Sequence, residues 1–256
     1  MSSTSGEQPQ HLAPQSLRRI ARDVGDVMRD PLSSHGIYYV HDGDVVTIGS
    51  AMIIGSVGTP YAHGCYFFDV LFPQDYPISP PKIKCRTQDK HQRTRFHPNF
   101  YRSGKVCRAG LNTWKGQGWT SCMNLRSVLL DLAQAMNKTH PIIEEPDISP
   151  DHPDALPYNC ALQFKNYQIA VFQTLVDGQG HYSAFASFYH EYYAAHATSI
   201  LEELHKRVEE EAKTGPTDLY IGLYEMSTCV HYAPVVESIT PLLRSLTNTE
   251  TEKPPN

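Results

Sequence analysis

The run Phe72-Pro73-Gln74-Asp75-Tyr76-Pro77-Ile78-Ser79-Pro80-Pro81 carries four prolines in ten residues, and that density restricts what the surrounding chain can form. Each proline fixes φ and lacks a backbone donor, so the run is excluded from a central strand. It predicts a stiff, preshaped loop. Residues 37–40, 45–54, 65–72 and 82–86 are β-branched or aromatic runs, separated by Asp42-Gly43, by Gly58-Thr59-Pro60 and by the proline loop itself. Connections this short predict an antiparallel four-stranded meander, because parallel strands need crossovers of about a dozen residues or more.

Helical spacing flanks the meander. Leu17, Ile20, Val24, Val27 and Met28 recur at that spacing, with Arg18, Arg22 and Arg29 on the other side. Asp30-Pro31 closes this helix, since the residue before a proline disfavours α geometry. The spacing returns at Leu125, Val128, Leu129, Leu132 and Met136. After a proline-rich linker over 141–157 it returns again at Tyr167, Ala170, Val171, Thr174 and Leu175. Asp177-Gly178-Gln179-Gly180 breaks that helix. A long helical segment with Tyr182, Phe185, Tyr189, Tyr192, Ile200, Leu201, Leu204 and Val208 follows; Gly215-Pro216 stops it, and a last apolar helix runs to about Leu246. The class is α+β. The expected organisation is a disordered tail over 1–14, a globular domain over 15–178, a helical extension over 179–246 and a frayed tail over 247–256. The aromatic stripe of the extension is too apolar for water and must pack on the first domain, on itself or on a partner.

Residues 87–118 show no sustained period and contain His97-Pro98-Asn99, Gly104, Gly110, Gly116 and Gly118. A loop this long inside a compact domain is usually functional. The six cysteines include no C-x-x-C pair. A zinc site drawn from Cys85, His91, His97 and Cys107 has the wrong spacing, so no metal is expected. A net charge of −5 gives no general attraction to nucleic acid. No apolar run approaches the roughly 18 residues of a membrane span, and residues 1–10 are polar, without the apolar core of a signal peptide. Free thiols in a reducing compartment, cytoplasm and nucleus, are the expectation. One of those thiols is then free to be reactive, although no Ser/His/Asp or Cys/His base pair is evident near Cys107.

The order helix, meander, F-P-x-D-Y-P-x-x-P-P, H-P-N, a cysteine eight residues after Asn99, then Trp114, Trp119 and further helices resembles the ubiquitin-conjugating enzyme family over about residues 17–176. Within it, the segment 99–107, the short Gly-rich insertion before Trp119 and the long C-terminal extension are most similar to the Z subtype. The resemblance implies a UBC-like fold in which Cys107 takes ubiquitin or a ubiquitin-like modifier as a thioester from a ubiquitin-activating enzyme. The modifier then passes to a substrate lysine or a ubiquitin ligase, with no cofactor. A thiol is well suited to carrying an acyl group in this way. Exchange between thioesters is nearly thermoneutral, and an ordinary thiol of pKa about 8.5 is a few per cent thiolate near neutrality.

The same resemblance assigns other residues. It gives Asn99 the role of donor to the developing oxyanion and makes His97 and Pro98 the supports of its turn. Glu145, in Glu145-Pro146, falls where the family usually has an Asp that accepts the lysine proton; the side chain is one methylene longer here. Arg18, Arg19 and Arg22 on the first helix face the activating enzyme. Ile78, Ser121 and Cys122 fall at ligase-facing positions, with Ser121-Cys122 replacing the customary Pro-Ala. Arg108-Ala109-Gly110 departs from the Leu, then Ser or Asp, that commonly follows the cysteine, so Arg108 either lowers the thiol pKa or points to solvent. The extension is implied to help select the activating enzyme or the modifier. The competing expectation is a catalytically silent relative that binds ubiquitin or scaffolds a partner; such relatives typically lack the cysteine, which this chain keeps.

Overall fold

A computed structural model describes residues 12–176 and 182–251. Most of the expected N-terminal tail, the helix break at 177–180 and residues 252–256 of the expected frayed tail lie outside the described residues. The first helix, α1 (Pro14–Arg29), has proline in its first turn, where the missing donor costs nothing, and ends just before Asp30-Pro31. Its buried stripe differs from the expected one. Leu17 and Met28 are exposed, and Ser16, Ile20, Asp23 and Val27 face inward. Asp23 tolerates burial because Arg19 pairs with it at 2.9 Å and the Tyr76 hydroxyl donates to it.

Strands β1 (Ile37–His41), β2 (Ile48–Ile54), β3 (Cys65–Leu71) and β4 (Lys82–Cys85) pair in chain order, each antiparallel to the next. The expected meander is therefore present. β2 begins three residues later than expected, because the Asp42 carboxylate accepts the amides of Asp44 and Val45 at 2.9 and 2.8 Å and holds a local turn off the ladder. Side chains alternate between two faces. Ala51, Ile53, Tyr66, Phe68 and Val70 join one core, and Met52, Ile54, Cys65 and Phe67 join another on the opposite face. Both faces of the sheet are covered.

The first core is closed by α1, by α2 (Leu125–Ala135) and by α3 (Ala155–Lys165). All five apolar positions expected of the second helix are buried. Asn124 starts it with a reciprocal cap, accepting the Ser127 amide at 2.9 Å while its own amide donates to the Ser127 hydroxyl at 3.1 Å. α3 widens into a π-helical stretch, Asn166–Val171, before α4 (Phe172–Val176). Asn166 is buried there between the Tyr66 hydroxyl and the Ala62 carbonyl, each at 2.8 Å.

The second core belongs to the extension. α5 (Ala186–Thr214) lays Tyr189, Tyr193, Ala197, Ile200 and Leu204 against the outer sheet face, and α6 (Tyr232–Thr251) adds Val235, Val236, Ile239 and Leu243. The extension is not wholly helical. Between α5 and α6 lies an antiparallel hairpin, β5 (Thr217–Ile221) and β6 (Met226–Val230). Gly215, at φ +75°, ends α5, and alternating burial in β6, with a 3-10 turn over Gly222–Tyr224 between the strands, replaces the helical period. α6 also runs past Leu246, to Thr251. Ile221, Tyr224 and Met226 of the hairpin region are buried in the first core. The expected division at residues 178/179 therefore does not divide the packing. Among the described residues, no helix is long and apolar enough to cross a membrane, and no group of three His, Cys, Asp or Glu side chains is placed to hold a metal ion.

Candidate active site

The long irregular stretch folds back on itself beyond β4. Phe100 bridges to both His97 and Val106, and Lys105 bridges to Lys84. Gly104 makes the return possible: its φ is +85°, and a Cβ there would lie 2.5 Å from the Cys85 carbonyl oxygen. The spacing between Asn99 and Cys107 is thereby explained. Eight residues form a tight excursion, and the Cys107 amide donates to the Asn99 carbonyl at 2.8 Å. Cys107 is buried, at 3% exposure, beside Asn99.

Asn99 is itself 2% exposed, and its side-chain nitrogen is buried without a hydrogen-bond partner among the described residues. Buried donors normally find acceptors, so this unpartnered nitrogen is an exception within the turn that leads to Cys107. His97 holds the turn. Its Nδ1 accepts the Asn99 amide at 3.0 Å, and it is wholly buried. Burial first, then the charges of Arg108, Lys138 and Arg95, push it well below the ordinary histidine range. It is a neutral support. The carbonyl of Pro98 accepts from Arg95, which ties the same turn down.

Four of the other five thiols are poorly suited to attack, whereas Cys122 is exposed. Burial raises Cys65 and Cys85 to about 12, and it also raises Cys160. The hydrogen bond with Asp218 raises Cys229.

Arg108 does not point to solvent. Its side chain is 13% exposed and grips Asp131 of α2 through two bonds of 2.9 and 2.6 Å, with Glu144 3.8 Å away. Glu144 also pairs with Lys138 at 3.0 Å. The Arg108 guanidinium thus fastens the loop to α2.

Glu145 is linked to the Asn99 turn through Arg95, which also donates to the Pro98 carbonyl. Its Oε1 sits 3.5 Å from Arg95 and accepts the Tyr224 hydroxyl at 3.1 Å. Of the expected docking residues, Arg18 and Arg22 are exposed on α1, as are Ile78, at 70%, and Ser121 and Cys122. Arg19 is committed inward, to Asp23 and to the carbonyls of Ser121 and Met123. Arg95, Asp131, Asp154 and Tyr224 are not marked by any local motif.

Comparison with known proteins bears on the same region. Residues 19–147 match the family described as ubiquitin-conjugating enzyme. The human protein ubiquitin-conjugating enzyme E2 Z is 37% identical over 161 residues, 62% of this chain and 44% of the relative. The Danio rerio protein of the same name is 36% identical over 159 residues, 61% of this chain and 47% of the relative. The human dual E2 ubiquitin-conjugating enzyme/E3 ubiquitin-protein ligase BIRC6 is 38% identical over 135 residues, 50% of this chain and 3% of that very long protein. The chain thus spans less than half the length of each of these relatives.

Proposed function

The chain belongs to the ubiquitin-conjugating enzyme family, and from that premise we propose that Cys107 carries ubiquitin or a ubiquitin-like modifier as a thioester and passes it to a lysine amine or to a ligase. The observation that supports this most is the backbone pairing of Cys107 with Asn99, whose buried side-chain nitrogen has no partner among the described residues. In loading, the Cys107 thiolate attacks the thioester carbonyl held by an activating enzyme, and that enzyme's cysteine leaves as thiolate. In discharge, an amine attacks the same carbonyl, Asn99 donates to the oxygen as charge develops, and Cys107 leaves. The amine proton passes to Glu145.

Arg18 and Arg22 remain candidates for contact with the activating enzyme, and Ile78, Ser121 and Cys122 for contact with a ligase. Incubation with ubiquitin, a ubiquitin-activating enzyme and ATP should give an adduct sensitive to reductant. Cys107→Ser should give a slower, reductant-resistant oxyester. Loading by Cys107→Ala, with none by Cys122→Ala, would show the wrong nucleophile has been named.

A further inference from the structure

We propose that Tyr224, at the tip of the C-terminal hairpin, is a positioning residue for Glu145, so that the extension takes part in discharge of the thioester. The inference rests on the role given to Glu145 above. A glutamate has one more rotatable bond than an aspartate and needs more restraint to present its carboxylate in one place. The restraint comes from the extension. The Tyr224 hydroxyl donates to Glu145 Oε1 at 3.1 Å, and Arg95 lies 3.5 Å from the same oxygen. Both contacts fall on Oε1; among the described residues Oε2 accepts no hydrogen bond and is the oxygen that takes a proton.

Tyr224 is held as a side chain with a fixed job would be. It is 8% exposed, and its ring centroid lies 4.9 Å from that of Tyr158 and 5.0 Å from the Arg95 guanidinium. Its carbonyl accepts from Arg102, and so does that of Glu225, at 3.2 Å. The amide of Leu223 donates to Asp154 at 2.8 Å, at the start of α3. Arg102 belongs to the excursion that ends at Cys107, so one set of bonds ties the hairpin tip to the nucleophile's loop and to the carboxylate. Burial first, then the Glu145 carboxylate, hold the phenol well above its ordinary range, and it remains a donor throughout the range in which discharge is measured.

The test is single-turnover discharge. Wild type, Tyr224→Phe, Glu145→Ala and the double variant are charged with ubiquitin by an activating enzyme and ATP, charging is stopped, and loss of thioester to free lysine is followed per charged molecule. Tyr224→Phe keeps the ring contacts and removes only the hydroxyl. It should slow discharge roughly 10-fold, within the 10²-fold that about an ångström of misplacement can cost. The deficit should shrink as pH rises, because the amine then needs less help losing its proton. The double variant should be no slower than Glu145→Ala alone. Wild-type discharge by Tyr224→Phe, or a double variant slowed by the product of the two single effects, overturns the proposal while leaving the Glu145 assignment standing. If Glu145→Ala discharges at the wild-type rate, or wild type does not charge at all, the assignment itself falls and the proposal with it.

Discussion

Replacing Ile200 with alanine tests whether the extension and the sheet are one cooperative body. Ile200 is wholly buried in α5, in the cluster that α5 and α6 form with Met52, Ile54, Cys65 and Phe67. Three carbons are lost, at about 0.8 kcal/mol each. The cavity left behind raises the cost to about 3–4 kcal/mol, inside the range of roughly 2–5 kcal/mol for such truncations. For a chain of this size each kcal/mol lowers Tm by about 2–4 °C, so the expected drop is roughly 6–16 °C. Calorimetry should show a single transition, moved down as a whole, and hydrogen exchange should show β2 and β3 amides losing protection together with those of α5. Leu156→Ala, at a position 74% exposed on α3, should melt within about 0.5 kcal/mol of wild type and serves as the control. A sheet transition at the wild-type temperature, with a separate early transition for α5 and α6, would refute the single-body reasoning.

Asn99→Ala should still accumulate thioester but discharge it to free lysine about 10²–10³ times more slowly, as for loss of an oxyanion donor; discharge at the wild-type rate rules that role out. Gly104→Ala forces a side chain into positive φ against the Cys85 carbonyl and should lose about 1–3 kcal/mol in urea unfolding, with an unchanged midpoint as the contrary result. His97 and His63 are both pushed below the ordinary histidine range, burial being the first cause for each. The unfolded chain takes up protons below about pH 6.5 that the folded chain refuses, so stability is full above that pH and falls as pH drops beneath it. The urea midpoint should therefore decline between about pH 7 and pH 5.5, and His63→Gln should flatten part of the decline; a flat midpoint in wild type contradicts the assignment.

Periodicity and turn chemistry make much of the fold legible. The four strands, the proline loop and the second helix follow from patterns that repeat within a few residues. The hairpin is hidden because residues 217–230 are short, half-polar runs lying between two apolar helices, and the helical pattern on either side reads across them. The buried face of α1 differs from its apolar stripe because Asp23 faces inward, which only Arg19 and the distant Tyr76 make tolerable. The same division holds at the site. Asn99 and Cys107 are eight residues apart, and local folding brings them together. Tyr224 and Glu145 are separated by 79 residues and Arg19 and Ser121 by 102; no spacing rule reaches that far.

The double covering of the sheet has a consequence for anyone who would graft this extension onto another member of the family. On one face of β2 and β3, Met52, Ile54, Cys65 and Phe67 are the floor on which α5 and α6 rest. A recipient whose strands carry polar residues at those four positions would leave the helices without a seat, and the hairpin would not reach its carboxylate. The transplantable unit is therefore not a continuous stretch of chain. It is the C-terminal segment together with four alternating residues far upstream.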